Sequence, residues 1–200
     1  MNNSTNKINF WNEIKISVIA AIALLLLVSG VYPLVVWGVS QAVFHKQAQG
    51  SLITNAQGAP IGSSLLAQGF TSPKYFHSRP SIAGSGYDAT SSGGSNLGQT
   101  SQALMDTIKA RAMRYRTENS LDSNAQIPGD AVTASASGLD PDISLDNALL
   151  QIHRVATARG LDPASVEKSV REKLQGRDLG ILGEPRVNVL LLNLALDKIQ

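Results

Sequence analysis

The chain has 200 residues, 17 Lys/Arg against 15 Asp/Glu, a formal net charge of +2 and no cysteine. A charge balance this even excludes the basic surface by which nucleic-acid binders neutralise phosphates. The lack of cysteine suits either side of a membrane and leaves the redox compartment open.

Residues 1–15 carry Lys7, Lys15 and Glu13. From Ile16 to Phe44 no side chain is charged, a run of 29 residues. As helix it would be about 43 Å long, where a bilayer core about 30 Å thick needs roughly 20 apolar residues. The run therefore predicts a transmembrane helix over 16–44, its end leaving the bilayer as amphipathic helix. Pro33 is a candidate kink, and Trp11, Tyr32 and Trp37 suit the two interfacial belts. A cleaved signal peptide is the competing reading, with Ser40-Gln41-Ala42 as a small-x-small site, but its apolar region should span only about 7–15 residues. Basic residues ahead of the span favour a cytoplasmic N-terminus. Residues 45–200 then form one extracytoplasmic, periplasmic domain at the inner membrane. It is long enough for a single core.

Within that domain, residues 51–69 read as a β-hairpin around the turn-rich Asn55–Pro60. Phe70, Tyr75 and Phe76 form an aromatic cluster ended by His77-Ser-Arg-Pro80. Ser81 to Gln102 is rich in Ser and Gly and reads as a long loop. Leu104, Ile108, Ala112 and Tyr115 predict a helix over 101–118. Asp130 to Ser135 reads as a short strand. Ser144 predicts an N-cap for a helix with Leu145, Leu149, Ile152, Val155 and Ala156 inward and Gly160 as its stop. Asp162-Pro163 opens another, with Val166, Val170 and Leu174 inward and Gly176 as its stop. Pro185 opens a last helix over 186–198, for which a strand is the alternative. The fold class is α+β: one N-terminal transmembrane helix, then a single mixed domain, helix-rich in its C-terminal half.

Little in the chain carries catalytic chemistry. There is no P-loop, and the Gly-rich 84–98 stretch has no Lys behind it. His45, His77 and His153 are scattered and form no ligand pair, so no metal site is expected. No G-x-S-x-G elbow occurs, and a Ser137–His77–Asp140 triad can be drawn only as any Ser-rich domain permits. Lys109, Arg111, Arg114 and Arg116 form the one dense basic run, read as a solvated helix face, with lipid head groups or an acidic partner as the minority reading. Four stretches stand out: Tyr75-Phe-His-Ser-Arg-Pro80, Ser92-Gly-Gly-Ser-Asn-Leu97, Val132-Thr-Ala-Ser-Ala-Ser-Gly-Leu-Asp-Pro141 and Gly183-Glu-Pro-Arg-Val-Asn-Val189.

In this order behind one span, these stretches resemble the C subunit of the Kdp potassium-transporting ATPase, the KdpC family. Gly30-Val-Tyr-Pro33, Arg154-Val-Ala-x-Ala-Arg159 and Leu192-Asn-Leu-Ala-Leu-Asp197 extend the match over nearly the whole chain. Ala131 departs from it, where a larger aliphatic residue is usual. The resemblance implies a non-catalytic accessory subunit of a high-affinity, ATP-driven potassium uptake complex. Its implied partners are a channel-like potassium subunit, a P-type ATPase subunit and a small hydrophobic subunit. It also implies a catalytic chaperone that raises the ATP affinity of the ATPase subunit, so ATP is the only cofactor in view. The expected partner contacts are Gly30 in the span and Tyr75, Phe76, His77, Arg79, Ser95 and Asn96 in the domain. The alternative is a freestanding, membrane-anchored, extracytoplasmic ligand-binding protein.

Overall fold

The computed structural model describes residues 9–199. Lys7, the N-terminal amine and Gln200 lie outside the described residues. The chain divides into two compact units, Met1–Ser51 and Leu52–Gln200.

The first unit is helical. α1 (Phe10–Leu26) runs into a π-helical turn (Leu27–Val31) and then α2 (Tyr32–Val43). Together they make one stretch of 34 residues, long and apolar enough to cross a bilayer. The helix starts before the uncharged run, taking in Glu13 and Lys15. At Pro33 the expected kink takes the form of the π turn just upstream. Pro33 has no amide hydrogen for the carbonyl four residues back, and its ring would crowd that carbonyl. The wider turn relieves this, and Tyr32 N–H donates to Leu27 O, five residues back. Phe44 leaves helical geometry (φ −121°, ψ 39°) before a single turn, α3 (His45–Ala48).

The second unit opens with the expected hairpin, β1 (Leu52–Thr54) against β2 (Pro60–Ser63), antiparallel, with Leu52 opposite Ser63. Asn55 builds its turn: Oδ1 accepts from Gln57 N–H and Ala59 N–H. From Ser64 to Ser101 the chain has no helix or strand; the Ser/Gly content predicts this from Ser81 onward, whereas residues 64–69, read as part of the hairpin, lie beyond its second strand. α4 (Gln102–Glu118) then forms, with only Tyr115 fully buried.

The predicted strand at 130–135 is instead a helical turn, α5 (Gly129–Val132). Thr133 closes it through both N–H and Oγ1 to Gly129 O. The Asp130 carboxylate accepts from Ser144 N–H, Ser144 Oγ and Asn147 Nδ2. Those bonds need a turn, not an extended run. The strand nearby is one the periodicity does not reveal, β3 (Asp142–Ser144).

Ser144 caps α6 (Leu145–Arg159) as expected, its Oγ accepting from Asn147 N–H, and Gly160 ends it at φ 67°. The inward face is not purely apolar: Asn147 and Gln151 are buried beside Ala148, Ile152, Val155 and Ala156. α7 (Pro163–Glu172) stops short of Gly176, because Leu174–Gln175 is drawn into a strand, β4, against Val187 and Arg186. The predicted last helix splits into β5 (Arg186–Asn188) and α8 (Val189–Leu196). Both readings of that segment are thus partly met. Asn188 makes the switch, since its Oδ1 accepts from Leu191 N–H as an N-cap while its Nδ2 donates to Ser64 O.

The sheet order is β3–β5–β4, all antiparallel. Its inner face and α6, α7 and α8 enclose one core of Phe76, Ile143, Val155, Val166, Val170, Val187, Val189, Leu192 and Leu196. Asn188 ties three of these parts together. Asn188→Ala should lower the unfolding free energy by about 1–3 kcal/mol, measured by urea titration followed by circular dichroism.

Candidate functional site

The segment Ser72–Arg79 crosses the domain as irregular chain, with no strand to pair its backbone. Buried peptide groups must still be satisfied, and side chains do it. Asn193 of α8 clasps Phe76: Oδ1 accepts from Phe76 N–H at 2.8 Å and Nδ2 donates to Phe76 O at 3.0 Å. Gln151 of α6 clasps His77 in the same way, at 2.7 and 3.2 Å. Between the two clasps, the Phe76 ring is fully enclosed in the core.

Arg154 completes the frame. It donates to Pro73 O, Tyr75 O, Asn119 Oδ1 and Gln151 Oε1 at 2.7–3.0 Å. Burial draws its pKa below the ordinary arginine value. Gln151 Nε2 also reaches Asn147 Oδ1, which takes the Tyr115 hydroxyl at 2.8 Å. Burial raises the pKa of that phenol far above its usual value and keeps it protonated. One network of amides and a guanidinium thus links α4, α5, α6 and the 72–79 segment.

Beside the network lies a cleft of about 300 Å³, lined among others by Phe70, His77, Tyr87, Arg111, Arg114 and Glu118. His77 Nε2 is 3.2 Å from Ser72 O, an acceptor that calls for hydrogen on that nitrogen. Its Nδ1 sits 3.9 Å from Glu118, whose other oxygen is held by Arg114 at 2.6 Å. Burial first, then the Arg154 charge, lower the His77 pKa below 6.5. The contacts of the imidazole are thus a backbone carbonyl, the Glu118 carboxylate and, at 3.5 Å, Arg154 Nη1. Arg111 donates to Val132 O and Arg116 to Ala125 O, so two members of the basic run are spent inside the domain.

The structure places the predicted contact residues unevenly. Tyr75, half-buried, bonds Asp197, packs on Phe70 at 5.2 Å and lies under Lys74 and Arg159. Arg79 pairs with Asp140 at 2.8 Å. Ser95 is half-buried and Asn96 exposed in the left-handed region at φ 52°. Gly30 lies within the π turn, and a Cβ there would meet nothing within 4 Å. The two Ser/Gly stretches pack on each other: Gly93 N–H and Ser92 Oγ both donate to Ser137 O. A Cβ on Gly94 would come within 2.9 Å of the Ala136 carbonyl, and one on Gly138 within 2.8 Å of the Gly93 carbonyl. The glycines therefore mark close backbone approach.

Ser137, His77 and Asp140 do not form a triad. Ser137 Oγ turns to Ser135 and Leu139 N–H, and Asp140 is held by Arg79 and Asp142 N–H. Among the described residues no group of three or more His, Cys, Asp or Glu is placed to hold a metal ion. The residues that sequence reasoning missed are Asn147, Gln151 and Asn193. Their one signal is an amide at an apolar helical position.

A family model described as KdpC, K+-transporting ATPase, c chain, matches residues 14–198. The chain is similar to the potassium-transporting ATPase KdpC subunit of Mycobacterium tuberculosis (strain ATCC 25618 / H37Rv), 52% identical over 169 residues, covering 84% of this chain and 89% of the relative. The subunit of the same name from Nitratidesulfovibrio vulgaris is 50% identical over 182 residues, 90% and 91% of the two chains. That of Caulobacter vibrioides (strain NA1000 / CB15N) is 52% identical over 166 residues, 83% of each.

Gln151→Ala would strip partners from the buried His77 peptide groups and from Arg154 at once. It should cost about 2–4 kcal/mol, read as a lowered urea midpoint. His77 makes a pH-dependent prediction. Its folded pKa lies below the unfolded 6.5, so on acidification the unfolded chain takes the proton first. The stability it contributes is complete above about pH 6.5 and is lost as pH falls through the lower folded value. His77→Gln should lose less stability than the parent between about pH 7 and 5, measured by paired urea titrations.

Proposed function

Because the chain belongs to the KdpC family, the c chains of K+-transporting ATPases, we propose that it works through contact and coupling. It is a membrane-anchored accessory subunit of the Kdp transporter, not the catalytic one. In this reading it steadies the assembled complex and raises the ATP affinity of the P-type ATPase subunit without holding ATP itself. The observation that carries the reading is the use of the most chemical-looking side chains. His77, Arg154, Gln151 and Tyr115 are spent on the protein's own backbone and on one another.

A subunit of this kind acts by binding one state of its partners better than another. The differential affinity is a coupling free energy, typically about 1–3 kcal/mol, and it appears at a remote nucleotide site by linkage. In our reading the N-terminus is cytoplasmic and the domain lies outside, where it caps the potassium entrance of the channel-like subunit. Lys7 and Lys15, both ahead of the uncharged run, support that orientation. Gly30, with open space where a side chain would be, suits close approach by a neighbouring helix.

Deleting this chain from cells that express the whole transporter should abolish potassium-stimulated ATPase activity in membranes. The purified chain alone should hydrolyse no ATP. Full stimulation without it would overturn the accessory role. A periplasmic reporter fused after residue 199 should be active and a cytoplasmic one silent; the reverse would overturn the orientation.

A further inference from the structure

The connection between β4 and β5, residues 176–185, puts its apolar residues outside. Leu179 is 89% exposed, Ile181 75% and Leu182 57%. The connection is braced rather than slack. Asp178 N–H donates to Leu182 O at 2.8 Å, and Leu182 N–H donates back to Asp178 O at 2.9 Å. Across its base Arg177 bonds Glu184 at 2.7 Å. Leu179 is held at φ 54°, a left-handed conformation that a leucine rarely adopts. Neither the exposure nor the strain serves the domain's own core. Both point to a surface built for something else.

We propose that the Leu179–Leu182 tip inserts into an aliphatic, uncharged pocket on another subunit of the transporter. This rests on the accessory-subunit reading above. The charge pattern selects the occupant. Segments that enter lipid pair their apolar residues with interfacial aromatics and free cations. Residues 176–185 contain no aromatic residue. Their flanking cations are neutralised, Arg177 by Glu184 and Arg186 by Asp142 and Asp178. A loop neutral at its base and aliphatic at its tip matches a protein pocket that is itself uncharged. A second copy of the chain fits poorly. A convex tip of a few side chains offers far less than the roughly 800 Å² per partner of a stable interface.

The test uses the assembled transporter. Replacing Ile181 with the photoreactive residue p-benzoylphenylalanine should give, on illumination, an adduct of this chain with one other subunit. Adducts with lipid alone, with a second copy alone, or none at all would overturn the proposal. In parallel, Leu179→Asn combined with Ile181→Ser removes the apolar tip while Asn tolerates the left-handed backbone. The chain's own thermal melting should not change, and its recovery with the washed complex should fall about tenfold. Undiminished recovery would sink the proposal. If the unaltered chain also failed to co-purify with the ATPase, the accessory-subunit reading would fall, and this inference with it.

Discussion

The domain depends on a backbone that has no strand to pair with. The Phe76–His77 peptide groups run through the centre of the domain and are satisfied by two side-chain amides, Asn193 and Gln151. Each amide presents a donor group beside an acceptor, the complement of one residue's N–H and C=O, and has a second hydrogen and a second lone pair to spare. This lets an irregular segment be buried at all. It also lets the Phe76 ring enter the core, in one cluster with Val155, Val166, Val187 and Leu192.

The rest of the polar interior follows from that need. Gln151 shares its oxygen between His77 N–H and Arg154, and its amino group between His77 O and Asn147. Asn147 leads on to Tyr115 and Asp130, and Asp130 holds the turn that leads into β3. A network with its members satisfied rigidifies, whereas removing one member leaves the others buried without partners. Rigidity is what the coupling role proposed above would require, since a soft domain would absorb a bias between partners.

The charged groups tell the same story outside the core. The Arg79–Asp140 pair and the Ser/Gly stretches at 92–94 and 136–138 knit the long loops to one another. The cleft beside His77 brings arginines, a carboxylate and an imidazole into one place, yet most have a structural partner. The domain's most exposed large apolar side chains lie at the β4–β5 tip, Leu179 and Ile181.

Several features were decided by sequence alone, because they depend on local or additive properties. The apolar helix follows from an uncharged run, the hairpin from Asn55–Pro60, and the ends of α6 from Ser144 and Gly160. The family was also legible, since long motifs survive in order along the chain. Tertiary structure decided the rest. Residues 130–135 favour a strand by local pattern, but Asp130 finds Ser144 and Asn147 only after folding, and a turn wins. Residues 186–198 read as one helix, with a strand as the alternative, until β3 and β4 claim 186–188 as their middle strand. The motif Tyr75–Arg79 reads as contact surface because its polar composition is hard to explain by core packing. The partners of its residues lie as far as 122 positions away, at the end of α8. Which amides turn inward depends on where unpaired backbone passes, and that is settled only when distant segments meet.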